Sequence, residues 1–111
     1  MNRLFVYGIF LDVENRFHYG MSNPEYAVVP DYVTRQCGMG IVEAVKVDGL
    51  GLGLTGFTVD VKPLKWPDID RLEASYDRIV VRTLDGEDVY MYVAKDQELN
   101  EGNTIYLEEE E

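Results

Sequence analysis

The sequence predicts an α+β domain, a small mixed and mainly antiparallel β-barrel with one or two short flanking helices. Three observations carry this expectation. Six or seven segments show apolar runs or two-residue alternation typical of strands. Short turns join most of them, which favours antiparallel pairing. One stretch, "WPDIDRLEASYDR" at residues 66–78, shows helical spacing instead.

The first element is "RLFVYG" (3–8), an apolar and aromatic run stopped by Gly8 and read as a buried strand. Residues 9–26 follow without a clean period. They have room for a short helical turn over residues 11–17. They end in "YGMSNPEY", whose Gly20, Asn23 and Pro24 read as turn chemistry. Excursions of this length after a first strand often carry function. "YAVVPDYVTRQ" (26–36) is strand-like, and Pro30 restricts it to an edge or a bulge. "GIVEAVKV" (40–47) is a further strand. "DGLGLG" (48–53) is a glycine-rich turn without the spacing of a phosphate-binding loop and without a helix after it, so it is not read as a nucleotide site.

"LTGFTVDVK" (54–62) alternates, with Thr55, Phe57, Val59 and Val61 on one face and Thr58 and Asp60 on the other. A helix is expected over 67–75. Pro67 suits its first turn, and Asp68 and Asp70 favour the positive end of its dipole. "YDRIVVRTL" and "VYMYVAK" then flank "DGED", an Asp-Gly hairpin signal. The partner strand puts Val89, Met91 and Val93 on one face and Tyr90 and Tyr92 on the other, the latter read as cross-strand packing. After a polar loop, "TIYL" is apolar enough to dock on the body. The expected organisation is a single domain over 1–107 with an acidic tail at 108–111.

Composition narrows the function classes. With 111 residues and 46% hydrophobic content, the chain fits one folded core. Twenty-one acidic residues against ten basic give a net charge of −11, which repels nucleic acid and anionic membrane surfaces as partners. One cysteine, Cys37, excludes an intrachain disulfide and fits a reducing compartment. One His and one Cys are too few for a structural zinc site, so no metal is expected. No 18-residue apolar run and no signal-peptide pattern is present, so the expected location is the cytoplasm. The oligomeric state is not legible.

One residue breaks the helical pattern. Ile69, Leu72 and Tyr76 fall at i, i+3 and i+7, and the i+4 place on that apolar stripe belongs to Glu73. Three readings are open. Glu73 points sideways into solvent, pairs with Arg71, Arg78 or Lys65, or lines a cavity where poor solvation raises its pKa toward neutrality. Only the third makes it a general acid–base group.

Two motifs resemble the gamma-glutamylcyclotransferase-like family. "LFVYGIF" is similar to that family's strand-plus-loop F-x-Y-G-[ST]-L, and "DIDRLEASYDRIVV" to its L-D-x-x-E-x-x-Y-x-R-x-x-V. "LTGFTVDV" between them resembles a third family strand. The likeness covers residues 3–95 in order and spacing. It implies a small mixed barrel with flanking helices and a cofactor-independent reaction. In that reaction the α-amine of a γ-glutamyl group attacks its own γ-carbonyl and releases 5-oxoproline. By the same resemblance Glu73 is the catalytic residue, Tyr7, Gly8, Ile9 and Phe10 form the substrate-binding loop, and Tyr76 lines the pocket or packs as a core aromatic. The partner implied is a small γ-glutamyl amine or other γ-glutamyl-tagged molecule. Ile9 and Phe10 replace the usual Thr or Ser and Leu, and Ala74 stands where many relatives have Gly. These departures keep open a second class, a catalytically inactive module on the same fold that binds a small ligand or a protein.

Overall fold

The structure, a computed structural model, describes residues 2–37, 41–49, 53–95 and 104–106. Within them the side chains of Ile9, Phe10, Cys37, Ile41 and residues 104–106 lie outside the description, as do the acidic tail and the middle of the glycine-rich turn. The order is β1 (Arg3–Val6), a 3-10 turn (Gly8–Leu11), α1 (Val13–His18), β2 (Met21–Pro30), β3 (Tyr32–Cys37), β4 (Ile41–Lys46), β5 (Gly53–Val61), a second 3-10 turn (Pro63–Lys65), α2 (Trp66–Leu72), β6 (Tyr76–Arg82), β7 (Asp88–Ala94) and β8 (Thr104–Tyr106).

This is a mixed α+β domain built mostly of strands. It is not a closed barrel: the described strands form one sheet ordered β2-β5-β1-β7-β6 and a second ordered β4-β3-β8. All pairings are antiparallel except β1 with β7, where Leu4 lies opposite Tyr90. The chain changes sheets at Asp31, whose φ of 66° turns the backbone sharply after Pro30. Pro30 itself ends an edge strand, where a missing N–H is tolerated.

The five-stranded sheet is apolar on both faces, which explains why β1 reads as a continuous run. Phe5 joins Val89, Met91 and Val93 of β7 and Leu54 of β5 on one face, packed against Tyr32 and Ala44 of the smaller sheet. Leu4 and Val6 join Val59, Val61, Tyr92 and Ile69 of α2 on the other. Each fully buried large side chain here contributes roughly 1.5–3 kcal/mol. Among the described residues no helix is long and apolar enough to cross a membrane.

Two local expectations change. In "YGMSNPEY" only Tyr19 and Gly20 turn, with Gly20 at φ 70°; from Met21 the stretch is the start of β2. Asn23 and Pro24 form an irregularity between Ser22 and Glu25, with Asn23 at φ 53°, a conformation Asn tolerates better than most residues. The Asp-Gly signal holds: Gly86 takes φ 89°, and its N–H donates to the Thr83 carbonyl between β6 and β7.

Candidate active site

α2 is short. Pro67 sits in its first turn, Asp68 faces the positive end of its dipole, and only Ile69 is buried. The helix stops at Leu72, which lies 41% exposed rather than on the buried stripe. Tyr76 already belongs to β6. The apolar spacing therefore reports the buried face correctly at Ile69 and fails at Leu72, because the helix ends before the stripe completes a second turn.

Glu73 occupies the C-terminal cap of this helix. Its N–H donates to the Ile69 carbonyl at 2.9 Å, and its own carbonyl accepts from the Tyr76 N–H at 2.9 Å. Two backbone bonds thus fix where the side chain starts. It leads into a cavity of about 10 Å³ lined by Leu4, Phe5, Val6, Tyr7 and Tyr92, room for about one water molecule. No hydrogen bond or ion pair reaches the carboxylate from the described residues. Arg71 is taken by Asp68 at 3.0 Å and Arg78 by Asp70 at 3.4 Å, so the ion-pair reading of Glu73 does not hold. Half-buried and unpaired, its ionised form is poorly solvated, and burial pushes its pKa up to about 7. The negative end of the helix dipole acts in the same direction.

Tyr7 follows β1 and shares this cavity. Its hydroxyl donates to the Tyr92 carbonyl at 2.7 Å and accepts from the Ala44 N–H at 2.9 Å, tying the two sheets together. Burial raises its pKa, and the nearby Glu73 charge adds to that. Its proton is therefore held on the sheet side rather than offered to Glu73. Gly8 takes φ 71°, a left-handed conformation that opens the 3-10 turn carrying Ile9 and Phe10.

Tyr7 and Gly8 also line a larger cleft of about 480 Å³, with Thr34, Leu54, Gly56 and Phe57 among its walls. Its size and mainly apolar lining suit a small molecule. Tyr7 is the one residue common to both spaces; Glu73 does not line the cleft. Among the described residues four polar or charged ones are buried, and Thr34 alone of these makes no side-chain hydrogen bond. Its hydroxyl keeps contact with open space, which for Thr34 is the cleft.

Of the residues expected from sequence, Glu73 and Tyr7 meet at one cavity, and Gly8 stands beside it on the cleft. The Ile9 and Phe10 backbone continues the same turn. Tyr76 packs against the helix-side core and does not line the Glu73 cavity. Sequence reasoning missed Tyr92, whose hydroxyl donates to Asp70 at 2.6 Å, and the Arg78 guanidinium lying 4.4 Å over Trp66 and 4.7 Å over Tyr90. The even-numbered face of β7 and the one-turn spacing of Asp70 and Glu73 are the signals that place them together. No group of three or more metal-binding side chains gathers among the described residues.

No family model matches the chain, and no curated protein matches it. Solved structures do. A gamma-glutamyl cyclotransferase superposes with a TM-score of 0.67 at 15% identity, over 87% of this chain and 68% of that one. The chain shares the fold of gamma-glutamyl cyclotransferase. An uncharacterized protein of Pyrococcus horikoshii matches at TM-score 0.70 and 17% identity, over 90% of this chain and 83% of the other. A protein of Arabidopsis thaliana solved in solution matches at 0.73 and 20%, over 88% and 64%. At such identities the likeness speaks for the fold alone.

Proposed function

We propose that the chain is a cyclotransferase that releases 5-oxoproline from a γ-glutamyl amine or another γ-glutamyl-tagged small molecule. Glu73 is its general acid–base group. The observation that carries this reading is a carboxylate fixed at a helix end, half-buried, unpaired and titrating near neutrality. The shared fold and the motif at residues 68–81 support it.

The chemistry follows from that carboxylate. An α-ammonium must lose a proton before its nitrogen can attack. Glu73 takes that proton, the nitrogen bonds to the γ-carbonyl carbon, and the old amide C–N bond breaks. Two protons pass from the attacking nitrogen to the leaving one by way of Glu73, which ends as it began, so the balance needs no co-reactant. Ring closure is unimolecular, so holding the γ-glutamyl arm folded supplies much of the rate. The Tyr7–Gly8 turn presents the substrate from the cleft, and Tyr7 is the wall between the two spaces. A cytoplasmic role on small molecules fits the strongly acidic composition.

One observation favours the second reading, a module that binds without turnover. The space large enough for a ligand excludes Glu73, and the cavity that includes it holds about one water molecule. A panel of γ-glutamyl amines and amino acids separates the two. 5-Oxoproline release and amide chemical-shift changes at Thr34, Leu54 and Gly56 are followed on the same samples. Release with shifts supports the enzyme. Shifts without release, across the whole panel, support the binding module.

A further inference from the structure

We propose that Asp70 is a positioning residue for Glu73, acting by holding the Tyr92 hydroxyl so that it does not hydrogen-bond the Glu73 carboxylate. Asp70 and Glu73 stand three residues apart at the end of α2, which puts their Cβ atoms about 5–6 Å apart on neighbouring sides of one turn. Tyr92 lies opposite both. Its ring lines the Glu73 cavity, and its hydroxyl donates to the Asp70 carboxylate at 2.6 Å. A phenol has one proton to give, so the bond to Asp70 is a bond withheld from Glu73.

The other polar groups around the site are committed as well. From β1, Tyr7 gives its proton to the Tyr92 carbonyl. From β6, Arg78 is held by Asp70 at 3.4 Å and lies over the rings of Trp66 and Tyr90, which themselves meet edge-on at 5.4 Å. Tyr76 of β6 packs into the helix-side core. Asp70 is thus the acceptor that gathers both Tyr92 and Arg78, and it leaves Glu73 as the unserved carboxylate of the pair. A hydrogen bond to a carboxylate favours its charged form. Losing Asp70 frees the Tyr92 hydroxyl proton for Glu73, which lines the same cavity, and the neutral form of Glu73 loses its advantage. The inference concerns the ionisation of Glu73 and stands whether or not the chain proves to be a cyclotransferase.

The test is a carboxyl-carbon NMR titration of the full chain labelled at glutamate, with the Glu73 signal assigned by its loss in Glu73→Gln. Wild type, Asp70→Ala, Tyr92→Phe and the double variant are compared. The expected result is a Glu73 midpoint lowered by about one pH unit in Asp70→Ala, a tenfold change in its ionisation constant. It returns toward the wild-type value in the double variant, and Tyr92→Phe alone leaves it unmoved. A drop that persists in the double variant shows that Asp70 acts by its own charge or by holding Arg78 rather than through Tyr92 and overturns the proposal, as does no drop. Asp70 is 43% exposed, so its truncation leaves the core intact; Asp70→Asn, which still accepts a weaker bond, is expected to give a smaller drop of the same sign.

Discussion

Asp60 and Glu73 are two carboxylates of one acidic chain with opposite surroundings. Asp60 receives the Asn23 amide at 2.6 Å and the Arg3 guanidinium at 2.9 Å, and these bonds hold its pKa below the usual carboxylate range. Arg3 reaches Glu25, Thr58 and Glu87 as well. Glu73 has no such partner among the described residues and is pushed the other way by burial. Among the described carboxylates, partnership rather than abundance distinguishes the one suited to carry a proton near pH 7.

The comparison breaks most visibly at Arg3. Arg3→Met leaves Thr58 and the three carboxylates without their shared donor and is expected to cost about 2–3 kcal/mol in urea unfolding at neutral pH. Because the Asp60 pKa is depressed on folding, its contribution is present above its ordinary value of 3.8 and is lost as the solution is acidified below that. The difference between variant and wild type therefore narrows in acid. Next in size, Tyr7→Phe removes the hydroxyl that bridges the Tyr92 carbonyl and the Ala44 N–H between the sheets, for about 2 kcal/mol at any pH below the tyrosine range.

Glu73 has the reverse sign. Its folded-state pKa lies near 7 against 4.5 unfolded. The protein keeps the full benefit of the neutral acid below 4.5 and loses it progressively as pH rises to 7. Glu73→Gln is thus expected to stabilise the chain at pH 8 by roughly 1–2 kcal/mol, after allowing for the screened, solvent-facing part of the side chain. At pH 5 the two proteins should unfold within about 0.5 kcal/mol of each other. Equal stability at pH 8 would mean that Glu73 is solvated. The smallest effect belongs to Thr34. Its hydroxyl makes no bond, so Thr34→Val should change stability by less than about 0.5 kcal/mol and alter only what the cleft retains, measurable by NMR titration with a bound γ-glutamyl amine.

Local chemistry made much of this legible. The alternation of Val89, Met91 and Val93 against Tyr90 and Tyr92 corresponds to the two faces of β7, because strand period depends only on neighbours in the chain. The Asp-Gly hairpin and the proline-led start of α2 are local in the same sense. The splitting of the strands into two sheets was not legible, since it depends on a parallel contact between β1 and β7 across most of the sequence. Nor was the stretch at 21–25, where turn-forming residues build an irregular strand because β5 offers them partners. Glu73 stood out as a misfit on the stripe. That it caps the helix and faces Tyr7 depends on where α2 stops, which periodicity does not give. Asp70 reads in sequence as a first-turn acid; its bond to Tyr92 needs the fold.

The most direct measurement is 5-oxoproline release from the best substrate of the γ-glutamyl panel, by wild type and Glu73→Gln across pH 6 to 8. With Glu73 as general base, kcat/KM for wild type rises with pH through about 7, and the substitution lowers it by roughly 10²- to 10⁴-fold. Equal rates for the two proteins would contradict the assignment of Glu73.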